Sequence, residues 1–495
     1  MKFPIKLLFY FLVFCLLPIK MDAQSIFSEK DLEYKKDFLP YDVPYTFGLE
    51  DKEFIMLQEQ KKNVMKLGRY DQYFFEKWEK EIEFNKEENA PKLLVHGDSA
   101  IAYSFSPDKD KKQIHLSFRY FNLKDGVELT PTNYIFGMEQ GGNPEITFSE
   151  DKSKFLVYNY LVSHENVPMM EFQIFETGSE TPLHQYYLPP QKLVAPKAHA
   201  AQVSNHGDLF VVVVEAGDFK METYYWNTNT KDVAQVDNTF FFERPAENIR
   251  DIHIQQQGAS SYFVSFAATI EDELIGFNVT GVNVVLKTVM FSYNQNLRTD
   301  EITAVYENYE FTSEKQKKKL LEIPKSLDDF RLVQSFENQE KDVILIIEEL
   351  EIPTAYHSDN TDQAMPWKVK GHDEKFYYGG DLLLYCFTES GILKWEKSIQ
   401  KSQYSQGNSL GLSYVPRIDA NELQMIVNES AKDGNFYIMK INTLDGSLTR
   451  KINLLPDQKA EFNKKYSCWL NANAVIICGI SSTNSNKRSL MLVEF

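Results

Sequence analysis

The chain has 495 residues, of which 43% are hydrophobic and 14% aromatic, and it carries a formal net charge of −18. That apolar content excludes a disordered chain. The acidic balance excludes a nucleic-acid partner, whose phosphates must be neutralised by Lys and Arg, and it does not suit an anionic membrane surface.

The first element is an export signal. Met1-Lys2-Phe3-Pro4-Ile5-Lys6 precedes an apolar run from Leu7 to Leu17, followed by Asp22-Ala23-Gln24-Ser25. A charged start, a short apolar core and a small residue at the cleavage point predict a secretory signal peptide over residues 1–23, cut after Ala23. The run is too short for a comfortable membrane span. Cys15 lies inside the apolar core, behind the bulky Phe14, so it is not read as a lipidation site. Losing residues 1–23 removes Lys2, Lys6, Lys20 and Asp22 and takes the net charge to −20. The expected location is exported: periplasmic or extracellular, including the periphery of the cell envelope. No transmembrane segment is expected in the mature chain.

Cys386, Cys468 and Cys478 remain, an odd and low number that excludes a disulfide framework. Buried free thiols on strands are expected. The alternative is a Cys468–Cys478 bridge across one predicted hairpin.

Beyond the signal, the sequence repeats with a period near 52. Ile418-Asp419-Ala420-Asn421-Glu422-Leu423 is echoed 52 positions later by Leu470-Asn471-Ala472-Asn473-Ala474-Val475, and His96-Gly97-Asp98 recurs 110 positions on as His206-Gly207-Asp208. In each match a tight polar turn leads into a β-rich run, the signature of a β-propeller built from four-stranded antiparallel blades. With strands A to D counted outward, A–B turns are predicted at Glu50-Asp51, Gly97-Asp98, Glu150-Asp151, Gly207-Asp208, Gly258, Asn338, Ala420 and Ala472. Strong β segments follow six of them: Ala100–Phe105, Phe155–Tyr160, Leu209–Val214, Tyr262–Phe266, Val343–Ile347 and Val475–Cys478. C–D turns are predicted at Lys124-Asp125-Gly126, Thr177-Gly178-Ser179, Asn229-Thr230-Lys231-Asp232, Asn294-Gln295-Asn296, Glu389-Ser390-Gly391 and Asp445-Gly446.

Lys77-Trp78-Glu79-Lys80-Glu81-Ile82 matches Lys394-Trp395-Glu396-Lys397-Ser398-Ile399, which places the N-terminal segment in the same repeat family. The last unit supplies A, B and C strands and then stops, so an N-terminal strand is expected to fill its D position in a Velcro-type closure. If Tyr45–Phe84 forms a whole blade, Ser25–Phe38 is the donor and the ring has eight blades; otherwise it has seven. The period arithmetic favours eight. The expected fold is therefore all-β, a seven- or eight-bladed β-propeller, with residues 24–495 as a single domain.

On these residues the chain resembles the exported β-propeller repeat proteins of bacteria, broadly the quinoprotein-like and WD40-like class. The likeness is carried by Ser390-Gly391-Ile392-Leu393-Lys394-Trp395 and by Ser104-Phe105-Ser106-Pro107-Asp108. Quinoprotein enzymes tend to repeat the Trp in most blades, whereas this chain has two such units, so a bound quinone is not implied. The Gly-His and Trp-Asp signatures of eukaryotic WD40 blades are absent. No cofactor is expected.

Two turn-to-turn intervals near 80 residues exceed the period. The excess is assigned to insertions at about 267–285, 306–327 and 348–378, all on the B–C and D–A face, around the fourth and fifth full blades. Long connections in a compact repeat fold are often functional. Tyr309, Tyr356, His357, Trp367, His372, Tyr377 and Tyr378 are the candidate partner-binding residues, since aromatic and polar groups together suit a binding surface; packing onto the blades is their other reading. Gly407-Asn408-Ser409-Leu410-Gly411 matches a nucleophile elbow, but it leads into a β segment rather than a helix. His357, Asp359 and Asp362 lack the Gly turn and closing Glu of a calcium loop, and no metal site or catalytic residue is assigned. The expected function is non-enzymatic binding of a protein, peptide or glycan through the loop-rich face. The alternative is a polysaccharide hydrolase or lyase with polar groups in the central funnel, for which Arg331 and Arg417 are the clear charged candidates.

Overall fold

The computed structural model describes residues 25–33, 45–61, 63–84, 91–108, 110–111, 113–137, 144–162, 168–188, 197–215, 220–271, 273–297, 330–351, 376–399, 401, 403–406, 414–428, 436–453, 460–462, 466–481 and 487–495. They form eight antiparallel sheets, the blades of an all-β propeller, with no α-helix among the described residues.

Seven blades run in chain order from the innermost strand A outward. Blade 1 comprises Thr46–Gly48, Phe54–Lys61, Val64–Tyr70 and Glu76–Glu83; blade 2, Lys92–His96, Ser99–Asp108, Gln113–Asn122 and Thr132–Gly137. Blade 3 comprises Glu145–Phe148, Lys154–Val162, Pro168–Glu176 and His184–Leu188; blade 4, Lys197–Val203, Leu209–Glu215, Lys220–Trp226 and Val233–Thr239. Blade 5 comprises Asn248–Gln257, Ser261–Ile270, Glu273–Asn283 and Thr288–Asn296. Blade 6 has Phe330–Glu337, Val343–Glu351, Phe376–Phe387 and Leu393–Ile399, with Gln403–Gln406 pairing beside its third strand; blade 7 has Tyr414–Asp419, Glu422–Asn428, Phe436–Asn442 and Leu448–Asn453. In blade 8, Cys468–Asn471 and Ala460–Phe462 both pair with Ala474–Ser481, which pairs with Lys487–Glu494. Ser25–Glu33 then pairs antiparallel with Lys487–Glu494, from Ser25 opposite Glu494 to Glu33 opposite Lys487.

The strand B segments explain why these sheets stack side by side. In blade 4 every residue from Leu209 to Val214 is buried. Leu209, Val211 and Val213 pack against blade 3, while Phe210, Val212 and Val214 pack against blade 5. Side chains alternate across a strand, so a strand apolar at every position needs a partner on both faces. Blade 6 repeats the rule, with Val343, Leu345 and Ile347 toward blade 5 and Ile344 and Ile346 toward blade 7. Seven apolar clusters among the described residues link every neighbouring pair of blades around the ring. The one that joins blade 8 to blades 1 and 2 includes Tyr45, Phe54, Leu93, Tyr466, Ile476 and Leu492.

The repeated Lys-Trp motif has a structural role in both copies. The Trp78 Nε1–H donates to the Leu123 carbonyl of blade 2 at 2.8 Å, and the Trp395 Nε1–H donates to the Thr443 carbonyl of blade 7, also at 2.8 Å. Each indole lies under a C–D turn glycine of the next blade. A Cβ on Gly126 would stand 2.6 Å from Trp78, one on Gly446 2.8 Å from Trp395, and both glycines have φ near +70°. The preceding lysines pair with acids beside the A–B turns of their own blades: Lys77 with Glu53, and Lys394 with Asp342 at 2.7 Å. Ile82 and Ile399 are buried. The motif thus fixes the outer strand to its own blade and to the next.

Two sequence expectations are corrected. Residues 267–285 are not an inserted loop: they run through the paired second and third strands of blade 5, which are 10 and 11 residues long, and into the C–D turn. Consequently Asn294-Gln295-Asn296 is the end of that blade's outer strand rather than a C–D turn. Gly276, Asn278, Thr280 and Gly281 weaken the β signal there. The polar pair is nonetheless fully buried, with Asn278 donating to Asn294 Oδ1 at 2.8 Å and Thr280 donating to Asn278 Oδ1 at 2.7 Å. The insertion read at 348–378 narrows, because 348–351 and 376–378 are strand; residues 352–375 and 306–327 lie outside the described residues. Cys386, Cys468 and Cys478 are free and buried, and burial pushes the Cys386 and Cys468 thiols up to about 12.

Replacing Trp395 by Phe should cost about 1 kcal/mol through the lost hydrogen bond, and by Ala about 3–5 kcal/mol. Gly446→Ala should act on the same contact from the other side. Denaturant unfolding of the three variants checks the order.

Candidate functional site

The strand A segments wall the propeller axis, and those of blades 5 and 6 depart from regular pairing. In blade 5 the register slips between Arg250 and His253, and in blade 6 between Leu332 and Gln334. A bulge changes side-chain parity. Ile249, Ile252 and Ile254 accordingly share the face toward the blade 4–5 core despite their uneven spacing. Asp251 is the extra residue, held at φ 54° in the left-handed region. Asp tolerates that conformation better than most residues, but it still costs backbone energy, and such strain concentrates at functional sites.

Charged and polar groups gather at this bulge. Arg250 Nη2 donates to the Phe330 carbonyl at 2.6 Å. His253 Nε2 lies 2.9 Å from the Leu332 carbonyl, which fixes it as the donor. Arg250 Nε and Asp251 Oδ2 are 3.7 Å apart, and the two side chains are only 19% and 20% exposed. The Leu332 N–H, Arg250, Arg331 and His253 all favour the Asp251 carboxylate, yet burial outweighs them and raises its pKa above the ordinary carboxylate value. Asp251 Oδ2 and Arg331 Nε are buried atoms with no hydrogen-bond partner among the described residues. Part of this arrangement stitches two inner strands together. Stitching alone does not require a buried carboxyl at positive φ beside two guanidiniums.

Blades 5 and 6 also carry the long connections. Residues 297–329 lead from the outer strand of blade 5 to the first strand of blade 6, and 352–375 join the second and third strands of blade 6. Arg250 pairs with Ala267, three residues before the second strand ends, so the bulge lies toward the B–C and D–A face.

The base of the second connection is held by a buried ion pair. Lys401 Nζ is 2.6 Å from Glu348 Oε1, with side chains 0% and 1% exposed. The Lys401 N–H donates to Asp381 Oδ1 at 3.1 Å, and the Asp381 N–H to Glu349 Oε2 at 3.3 Å. A groove of about 860 Å³ between the outer strands of blades 4 and 5 is a poorer candidate, because Lys220 on its wall is already paired with Glu222 at 2.5 Å.

Among the residues singled out from sequence, Tyr309, Tyr356, His357, Trp367 and His372 lie outside the described residues. Tyr377 and Tyr378 belong to the third strand of blade 6, where they pair with Ser405 and Tyr404. Arg331 joins the axial cluster; Arg417 stands on blade 7, 3.8 Å from Asp419. Arg250, Asp251 and His253 were not singled out from sequence, because a bulge breaks the alternation that marks a strand. Among the described residues no group of three or more His, Cys, Asp or Glu side chains is placed to hold a metal ion, and no helix is long and apolar enough to cross a membrane.

No protein-family model matches the sequence, and no curated protein matches it. Solved structures of similar fold include a prolyl endopeptidase (TM-score 0.43, 9% identity, 89% of this chain and 55% of that one). The chain thus spans about half the length of that enzyme. Others are the polysaccharide lyase Uly1 (TM-score 0.35, 9% identity, 81% and 89% of the two chains) and the WD40 domain of SCAP from fission yeast (TM-score 0.38, 9% identity, 94% and 98%). These are likenesses of fold alone.

Asp251 has its folded-state pKa raised, so its ionisation opposes folding as pH rises above the unfolded carboxyl value. Asp251→Asn should therefore be more stable than the parent at neutral pH, with the gain shrinking toward pH ~4, near the unfolded carboxyl pKa; thermal melts across pH check it. Lys401→Met should destabilise by about 3–5 kcal/mol by taking the ammonium away from the buried Glu348 carboxylate, and Lys401→Met with Glu348→Leu should recover most of that in denaturant titrations.

Proposed function

We propose that this chain is an exported, non-enzymatic β-propeller that binds a protein, peptide or glycan at the B–C and D–A mouth of blades 5 and 6. The observation that carries the reading is a coincidence of position. The strained Asp251 bulge with Arg250, His253 and Arg331 lies on the same two blades that carry the connections 297–329 and 352–375. Tyr309, Tyr356, His357, Trp367, His372, Tyr377 and Tyr378 supply the outer contacts in this reading. The pairing of Ser25–Glu33 with Lys487–Glu494 is read as the closure of the ring, made after a signal peptide is cut at Ala23.

A second reading has one specific observation in its favour. A buried carboxyl of raised pKa beside a histidine and two arginines is the kind of group that acts as an acid, as a polysaccharide hydrolase or lyase requires. Glycoside hydrolysis commonly uses two carboxyl groups. Among the groups that set the charge environment of Asp251, none is a second carboxylate.

Removing residues 352–375 with a short linker should leave the melting temperature within a few degrees of the parent and abolish capture of the cognate partner from an envelope or medium fraction. Undiminished capture would remove the loop face from the proposal. Glycan cleavage that disappears in Asp251→Asn would establish the enzymatic reading instead.

A further inference from the structure

We propose that the axial cluster on blades 5 and 6 is a binding site for a carboxylate group of the ligand. The inference rests on the mouth of these two blades being the binding region and supplies the chemistry recognised there.

Charge comes first. The chain as a whole is strongly acidic, at −18. Against that background the strand A segments of blades 5 and 6 bring together Arg250, Arg331 and His253 around one carboxyl, Asp251. Glu348, across the sheet from Arg331, is matched by Lys401, so two guanidiniums against one carboxyl leave a local positive excess, which the partial burial of Arg250 and Asp251 strengthens.

Geometry comes second. Arg250 is oriented by its bond to the Phe330 carbonyl and His253 by its contact with the Leu332 carbonyl. Arg331 Nε has no such bond among the described residues. The Nε edge of a guanidinium is one of the two-donor edges that match the two oxygens of a carboxylate. Asp251 Oδ2 is likewise without a hydrogen-bond partner among the described residues. Burial raises its pKa, and whenever the carboxyl is protonated it can donate a hydrogen bond to an incoming carboxylate oxygen. Whenever that carboxyl is ionised, a dianionic phosphate meets more charge repulsion than a monoanion does, so the site favours a monoanion.

A ligand carboxylate has two natural sources at such a mouth, the uronic acid units of a glycan and the C-terminus of a polypeptide. Isothermal titration of the full chain compares four probes: a uronic-acid trisaccharide and its methyl ester, and an N-acetylated tetrapeptide with a free C-terminus and its C-terminal amide. Expected is binding of at least one acid about tenfold or more tighter than its neutral twin, a difference that one good charge-assisted pair supplies. The acid that binds identifies the source. Arg331→Lys keeps the charge but loses the fork, and should weaken that acid about fivefold or more at unchanged melting temperature. Equal binding of acid and neutral twin, no binding of either acid, or equally tight binding of inorganic phosphate would each overturn the proposal. The 352–375 deletion separates this from failure of the binding-face reading: it should leave probe binding intact while removing partner capture.

Discussion

Everything in this molecule depends on sheets that are apolar on both faces. A strand such as Leu209–Val214, buried at every position, cannot belong to a sheet that faces water on one side. Eight such sheets satisfy one another only in a closed round, where each core is shared between two neighbours. The apolar clusters follow this logic, alternate residues of one strand belonging to different cores. Hydrogen bonds from outer-strand aromatics then set the angle between blades: Trp78 and Trp395 reach the carbonyls of the next blade, and Tyr134 OH donates to the Ser179 carbonyl at 2.5 Å.

The same constraint explains where polar chemistry can sit. The second and third strands are committed to packing, leaving the innermost strands and the connections for function. Most innermost strands pair regularly. Those of blades 5, 6 and 8 do not, and the slips of blades 5 and 6 bring a carboxyl, an imidazole and two guanidiniums into one neighbourhood. The buried Lys401–Glu348 pair lies in the same region, with Glu348 directly across the sheet from Arg331 and near the strand ends that flank residues 352–375. A buried ion pair is poor evidence for stability, since apolar side chains of similar volume would serve as well; its better-attested use is to specify one arrangement.

The fold was legible because double-sided burial leaves a continuous apolar run, which propensity and turn chemistry both detect. All six strong β segments are second strands of blades, and the A–B turns fall where Gly, Asn and Asp had placed them. The repeated Lys-Trp segment was visible as a motif, although its two tasks were not, because Glu53, Asp342, Leu123 and Thr443 are distant in sequence. Blade 5 was misread where Asn278, Thr280 and two glycines stand in strands without apolar signal; their hydrogen bonds to the neighbouring strand replace it. The axial cluster was half legible. Arg331 stood out as a lone charge in a β segment, while Arg250-Asp251 looked like connection, since a bulge disrupts the alternation by which a strand is recognised. What a bulge brings together is a tertiary fact.

One feature of blade 8 bears on how the molecule comes into being. Its outer strand is Ser25–Glu33 and the strand beside it is Lys487–Glu494, so one sheet joins segments from opposite ends of the described residues. Until the two have paired, the cores on either side of that sheet lack one wall. Contact order is therefore extreme at this single seam, although nearly all other strand pairings are local. Blades 1 to 7 are hairpin-local units able to form as they emerge, whereas the sheet of blade 8 forms only once both of these segments are present.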